Sequence, residues 1–257
     1  MSSETAAKRP RIHTMDEIRG FCIICMVAHH AFFDLVYLFS MPSLTPVIHI
    51  MEAIRVPFAL AFVVISGISS RLSRSNVLRG AKLLAVALGV TLVTGIFMPE
   101  NIITFGILHA LSLCMLIFTG IRPLLDKIRS VWGILLFSLL FFLFYNVSKG
   151  QIGIPDLLYV TLPIEIMRQN WLFIFGIPWD LGSADYFPLI PWVFAFIAGT
   201  YLGIYAKDDR FPQWMMKERV PFLRWIGSKT LIVYILHQPV VYGILYFIFV
   251  VLKIQPS

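Results

Sequence analysis

The sequence predicts an all-α polytopic membrane protein, a helical bundle of about seven transmembrane helices with its N-terminus in the cytoplasm. Three observations predict it. The chain has 257 residues, of which 58% are hydrophobic and only 14% charged, whereas a soluble domain averages roughly a quarter charged residues. A soluble fold of this length still needs a polar exterior, so the solvent for this much apolar surface is a bilayer. At about 20 apolar residues per spanning helix, the chain has room for seven spans and modest loops. The third observation is the way the basic residues alternate between the two sides. Together these exclude a soluble enzyme, a disordered regulator and a nucleic-acid binder, and the net charge of +7 becomes a matter of sidedness.

The apolar stretches fall at 20–39, 56–70, 81–98, 102–120, 131–146, 188–205 and 230–252. Residues 1–19 form a polar cytoplasmic segment. They lead into the first span without a small-residue cleavage site, so they do not read as a removed signal peptide. Residues 20–257 read as a single transmembrane domain. The stretch 171–178 is too short to span and is broken by Pro178, so it reads as re-entrant or interfacial. With the N-terminus inside, Lys8, Arg9, Arg11 and Arg19, then Arg71, Arg74, Arg79 and Lys82, then Arg122, Lys127 and Arg129, then Lys207, Arg210, Lys217, Arg219, Arg224 and Lys229 are all cytoplasmic. Only Arg55, Lys149, Arg168 and Lys253 fall outside. This positive-inside bias supports all seven spans together, because one missed helix would scramble every loop after it.

The longest outer loop, 147–187, holds Asp156, Glu165, Asp180 and Asp185 with Trp171 and Trp179. The acids solubilise it and the aromatics suit an interface, but its length is also what a cover over a site requires. Cys22 and Cys25 have CxxC spacing. On a continuous apolar helix they read as packing residues, like Cys114. No HxxxH or HExxH pair is present, so no metal is expected.

Ionisable side chains inside a span are costly and ask for a reason. The first helix carries His29, His30 and Asp34, with Arg19 at its inner mouth. Eleven residues turn a helix by about 1100°, so Arg19 and His30 share a face, separated by roughly 16 Å along the axis. Asp34 is one turn further on that side. A carboxylate beside an imidazole raises its basicity and fixes its tautomer, which suits a general base. His29 points about 100° away, and His13 lies in the polar N-terminal segment. His109 sits in the fourth span and His237 in the seventh, so three spans carry an imidazole at similar depth. At the outer end of the second span, His49, Glu52 and Arg55 follow at i, i+3 spacing, with Glu52 and Arg55 suited to an ion pair.

Several strings resemble a known family. Asp16-Glu-Ile-Arg19-Gly20 followed by His30 is similar to the R-x10-H pattern of acyltransferase-3 membrane enzymes. Residues 11–34, Ser66-Gly67-Ile-Ser69-Ser70, Gly106-Ile-Leu-His109, Asp185-Tyr186-Phe187-Pro188-Leu189-Ile190-Pro191-Trp192 and the stretch from Trp225 to Tyr234-Ile-Leu-His237-Gln238-Pro239 resemble, in order, the bacterial branch of the heparan-alpha-glucosaminide N-acetyltransferase catalytic-domain family. The resemblance implies a multi-pass acetyltransferase. It would take acetyl from acetyl-CoA in the cytoplasm and deliver it to a saccharide hydroxyl or amine on the other side of the bilayer. The implied location is the bacterial cytoplasmic (plasma) membrane.

Carried over residue by residue, Arg19 and His30 match the acyltransferase-3 pair, His237 falls in the last-helix motif and Asp185 in the bacterial signature. His30 is the first candidate for the catalytic histidine and His49 the second. Ile50-Met-Glu52-Ala, which follows His49, lacks the W-x-G of the heparan enzyme, and that enzyme's large lumenal domain has no counterpart here. Arg19, Arg71, Arg74, Arg224 and Lys229 are expected to receive the phosphates of the donor. Asp34 would tune His30, and His109, Asp185, Tyr234, His237 and Gln238 would serve the acceptor or the oxyanion. His30 acts either as base or as acyl carrier. The rival reading is a proton-coupled small-molecule transporter, since intramembrane His and Asp also build proton relays. Seven spans without an internal repeat do not divide into inverted halves. Small-residue patterns in the spans also suit a homo-oligomer, but they are common in membrane helices and leave the oligomeric state open.

Overall fold

A computed structural model of the protein describes residues 11–154, 157–177, 183 and 185–254. Lys8, Arg9, Asp156, Pro178, Trp179 and Asp180 lie outside the described residues. The fold is all-α and polytopic; among the described residues seven helical stretches are long and apolar enough to cross a membrane: His13–Leu38, Pro42–Leu72, Asn76–Phe97, Ile107–Leu125, Ser130–Lys149, Leu189–Lys207 and Thr230–Val251. The first two begin well before the apolar stretches expected at 20 and 56. Hydropathy marks only the apolar part of a helix, whereas the backbone ladder continues through any residue whose side chain finds water or a partner. Pro42 at a helix start costs nothing there because that N–H has no intrahelical acceptor.

The helices are α1 His13–Phe33, α2 Thr45–Leu72, α3 Asn76–Phe97, α4 Ile107–Leu125, α5 Ser130–Leu143, α6 Ile164–Met167, α7 Leu189–Lys207, α8 Pro221–Ser228 and α9 Thr230–Tyr246. In the loop 147–187, β1 Gln151–Ile154 pairs antiparallel with β2 Leu158–Thr161, in the register Ile152↔Val160. This hairpin is absent from the sequence expectation. Residues 170–175, overlapping the expected re-entrant stretch 171–178, form a 3-10 turn.

The chain divides into two compact units, Met1–Phe62 with Phe211–Ser257, and Val63–Arg210. In the first unit α1 packs against α8 and α9. The α1–α8 contact is backbone on backbone. A Cβ on Gly20 would strike the Leu223 carbonyl, and one on Gly227 would strike the Asp16 carbonyl. Glu17 accepts the N–H groups of Arg219 (2.6 Å) and Val220 (3.0 Å) just ahead of Pro221, so a buried carboxylate holds the entry to α8. After Phe33, α1 widens into a π-helical turn, Asp34–Leu38. Such turns are rare and recur at functional positions.

In the second unit the helix α7 forms the core: 72% of its spanning window is buried, against 0% for Thr230–Val251. Gly67 and Gly199 let the far end of α2 touch α7, since a Cβ on either would meet the other helix's backbone. This accounts for the Ser66-Gly67 string. Gly133 of α5 lies flat on the Tyr201 ring, whose hydroxyl donates to the Leu125 carbonyl at 2.8 Å.

Candidate functional site

In the first unit the seam between α1 and α9 gathers four of the residues the sequence singles out. The His30 and His237 rings stand 5.0 Å apart between centroids, and His29 lies 5.4 Å from His30. Asp34 is 1% exposed. Its two carboxylate oxygens receive Gln238 Nε2 at 3.1 and 3.0 Å. The sequence expects Asp34 to tune His30; the structure gives its carboxylate to Gln238 instead. Asp34 opens the π turn and still donates its backbone N–H to the His30 carbonyl, so it stands one turn beyond His30 on the same side of the helix.

The hydrogen bonds fix the chemistry of these groups. A carboxylate only accepts, so Gln238 must turn its NH2 toward Asp34 and its oxygen away. That oxygen, Oε1, is buried and has no hydrogen-bond partner among the described residues. His237 Nδ1 lies 2.5 Å from the Tyr234 carbonyl. A carbonyl also only accepts, so Nδ1 carries the proton and Nε2 of the neutral ring carries a lone pair. Nε2 is buried and likewise without a partner among the described residues. The Tyr234 ring lies 5.5 Å from His237. One imidazole is thus held as a ready proton acceptor beside a second imidazole, and an amide oxygen waits next to it in sequence.

His109, in the second unit, is built differently. Its Nδ1 accepts the Gly106 N–H at 3.2 Å and its Nε2 lies 3.2 Å from Thr91 Oγ1. The Thr91 hydroxyl donates to the Ile103 carbonyl at 2.7 Å, so its oxygen receives the His109 Nε2 proton. Both nitrogens are engaged, Nδ1 in capping α4 and Nε2 with Thr91 of α3. Asp185 joins the same cap. Its Oδ2 accepts the Ile107 N–H at 3.3 Å, and a Cβ on Gly106 would strike that oxygen. Ser183 Oγ accepts the Thr104 N–H and donates to the Asp185 carbonyl. Tyr186, outside the spans, donates to the Phe173 carbonyl at 2.6 Å, and burial pushes its phenol up, so it stays a donor.

The basic candidates separate too. Arg19 binds Asp16 at 3.0 Å, and Asp16 also holds Arg11 at 2.7 Å. Arg224 pairs with Glu218 at 2.9 Å, and Lys229 is exposed where α8 meets α9. In the second unit Arg74 is exposed. Arg71 is not at the surface as a phosphate ligand would be. It is 5% exposed, bound to Asp126 at 2.5 Å and to the Thr200 carbonyl at 3.1 Å, with its guanidinium over the Phe118 ring. His49, Glu52 and Arg55 all lie exposed on α2, since that helix starts before them. Among the described residues, no group of three or more His, Cys, Asp or Glu side chains is placed to hold a metal ion.

Sequence reasoning misses Asp16 and Glu17, two buried carboxylates in an acid-poor chain, which draw Arg11, Arg19 and the α8 entry onto α1. It also misses the Asp34–Gln238 pair. The only available signal there was two polar residues in otherwise apolar spans.

The sequence profile described as "Heparan-alpha-glucosaminide N-acetyltransferase, catalytic" matches residues 11–239. No curated protein and no solved structure matches the chain. The profile runs from Arg11, through Arg19, His30 and Asp34, to Pro239, just past His237 and Gln238. With seven membrane-length helices among the described residues, the chain belongs to the heparan-alpha-glucosaminide N-acetyltransferase catalytic-domain family and is a multi-pass membrane protein of that acetyltransferase family.

Proposed function

We propose that the protein transfers an acetyl group from cytoplasmic acetyl-CoA to a saccharide hydroxyl or amine on the far side of the bacterial cytoplasmic membrane. The reaction runs at the α1–α9 seam. The observation that carries this reading is the meeting of His30 and His237, two imidazoles from opposite ends of the chain, within a segment that matches an acetyltransferase profile. Apolar surroundings make such groups expensive unless chemistry uses them. An imidazole deprotonates an attacking hydroxyl or amine, or accepts the acetyl group itself and passes it on. Arg19, Arg224 and Lys229 of the same unit supply positive charge for the donor's phosphates. His30 faces the thioester, and His237 and Gln238 face the acceptor.

The test is release of free thiol from acetyl-CoA by the purified full chain, with radiolabelled acetyl followed into protein and into added glucosamine. Thiol release with acetyl transfer supports the reading. Label retained on the protein without acceptor selects the acyl-histidine route. No thiol release, together with gradient-driven solute uptake in vesicles lacking acyl-CoA, overturns it in favour of a transporter.

A further inference from the structure

Two consecutive residues of α9, His237 and Gln238, each present a buried hydrogen-bond acceptor that the fold leaves without a partner among the described residues. Neither is an accident of side-chain rotation. Asp34 dictates the amide orientation of Gln238, and the Tyr234 carbonyl dictates the tautomer of His237. Buried acceptors left empty cost stability, and folds rarely keep them without use. Both lie on one seam, the His237 ring against His30 and the Gln238 amide against Asp34.

We propose that His237 Nε2 and Gln238 Oε1 form a two-acceptor subsite. It admits the molecule to be acetylated by receiving two of its hydrogen-bond donors, with Asp34 as the positioning residue that keeps the Gln238 oxygen turned toward it. The proposal rests on the acetyltransferase reading above and adds its selectivity. His237 Nε2 takes the proton of the attacking hydroxyl or amine as the new O–C or N–C bond forms. The thioester C–S bond breaks, and the proton passes from Nε2 to the departing thiolate. The products are the acetylated acceptor and free coenzyme A thiol, with no change of oxidation state. Gln238 Oε1 holds a second donor of the same molecule. A ring carrying several hydroxyls satisfies both acceptors, whereas a ring with one hydroxyl leaves Gln238 Oε1 buried and empty.

The test uses the full chain in detergent with 15N-labelled histidine, His237 being assigned by comparison with His237→Asn. The expected spectrum has a protonated Nδ1 and an unprotonated Nε2 for His237, and the Nε2 resonance moves when methyl β-D-glucoside is added. Cyclohexanol, with one hydroxyl, needs a concentration about tenfold higher to move it equally, the usual worth of one good hydrogen bond. Gln238→Leu removes this preference while keeping the His237 tautomer. Should that variant not fold, Asp34→Asn serves instead. An asparagine donates as well as accepts, so Gln238 is free to rotate, and the preference for the glucoside falls. A protonated Nε2 in the resting protein overturns the proposal. So does a response to glucoside no stronger than to cyclohexanol. The predicted spectrum and responses without any thiol release from acetyl-CoA support the subsite and overturn the acetyltransferase reading instead.

Discussion

His109 and His237 look alike in the sequence, each a lone imidazole within an apolar helix, and the structure makes them opposites. Around His109 the fold supplies a donor to one nitrogen, the Gly106 N–H, and an acceptor to the other, Thr91 Oγ1. Around His237, among the described residues, it supplies only an acceptor, the Tyr234 carbonyl, and leaves Nε2 with its lone pair. The first histidine completes a helix cap in the second unit; the second keeps a basic nitrogen unengaged among the described residues of the first. The polarity of the groups that meet the two nitrogens of an imidazole decides whether a basic site is left over.

Asparagine breaks the comparison most sharply, since its side chain reproduces the Nδ1 edge of histidine and lacks Nε2. His237→Asn retains a donor for the Tyr234 carbonyl and loses the base. Acetyl transfer should fall by about 100- to 10,000-fold, the range for loss of a general base, while thermal stability in detergent stays near that of the wild type. At His109 the same change keeps an acceptor for the Gly106 N–H, so His109→Asn should stay within about 1 kcal/mol of wild-type stability. His109→Ala leaves a buried N–H empty and should cost about 1–3 kcal/mol. Thermal unfolding of the pair checks this, and equal losses in both variants would show that ring packing against Phe105, 5.5 Å away, matters more than the cap. The smallest effect concerns what holds the reactive histidine's helix pair in place. Glu17→Gln weakens a charge-assisted anchor of α8 on α1 and should lower stability by about 1 kcal/mol, with acetyl transfer by the folded fraction little changed. A larger loss of activity than of stability would make the α8 entry part of the donor site.

The seven spans are legible in the sequence because they follow from local periodicity and from the cost of polar groups in lipid. The family is legible because its strings recur in order from Arg11 to Pro239. The Asp34–Gln238 pair is not, since its members stand 204 residues apart and each has plausible local partners. Tautomers are equally hidden, because they depend on which backbone groups a ring meets. The burial of Arg71 is hidden for a related reason: it follows a span end in the sequence, and Asp126 and the Thr200 carbonyl of the same unit draw it inward. The hairpin formed by Gln151–Ile154 and Leu158–Thr161 escapes because its four-residue strands are too short for alternation to stand out beside apolar helices.

The most direct test of the α1–α9 seam as the reaction centre is acetyl-CoA thiol release by wild type, His30→Ala and His109→Ala, measured side by side on folded protein. The account predicts loss of release by at least about 100-fold in His30→Ala and release within a few-fold of wild type in folded His109→Ala. Full activity in His30→Ala, with loss in His109→Ala, would contradict it.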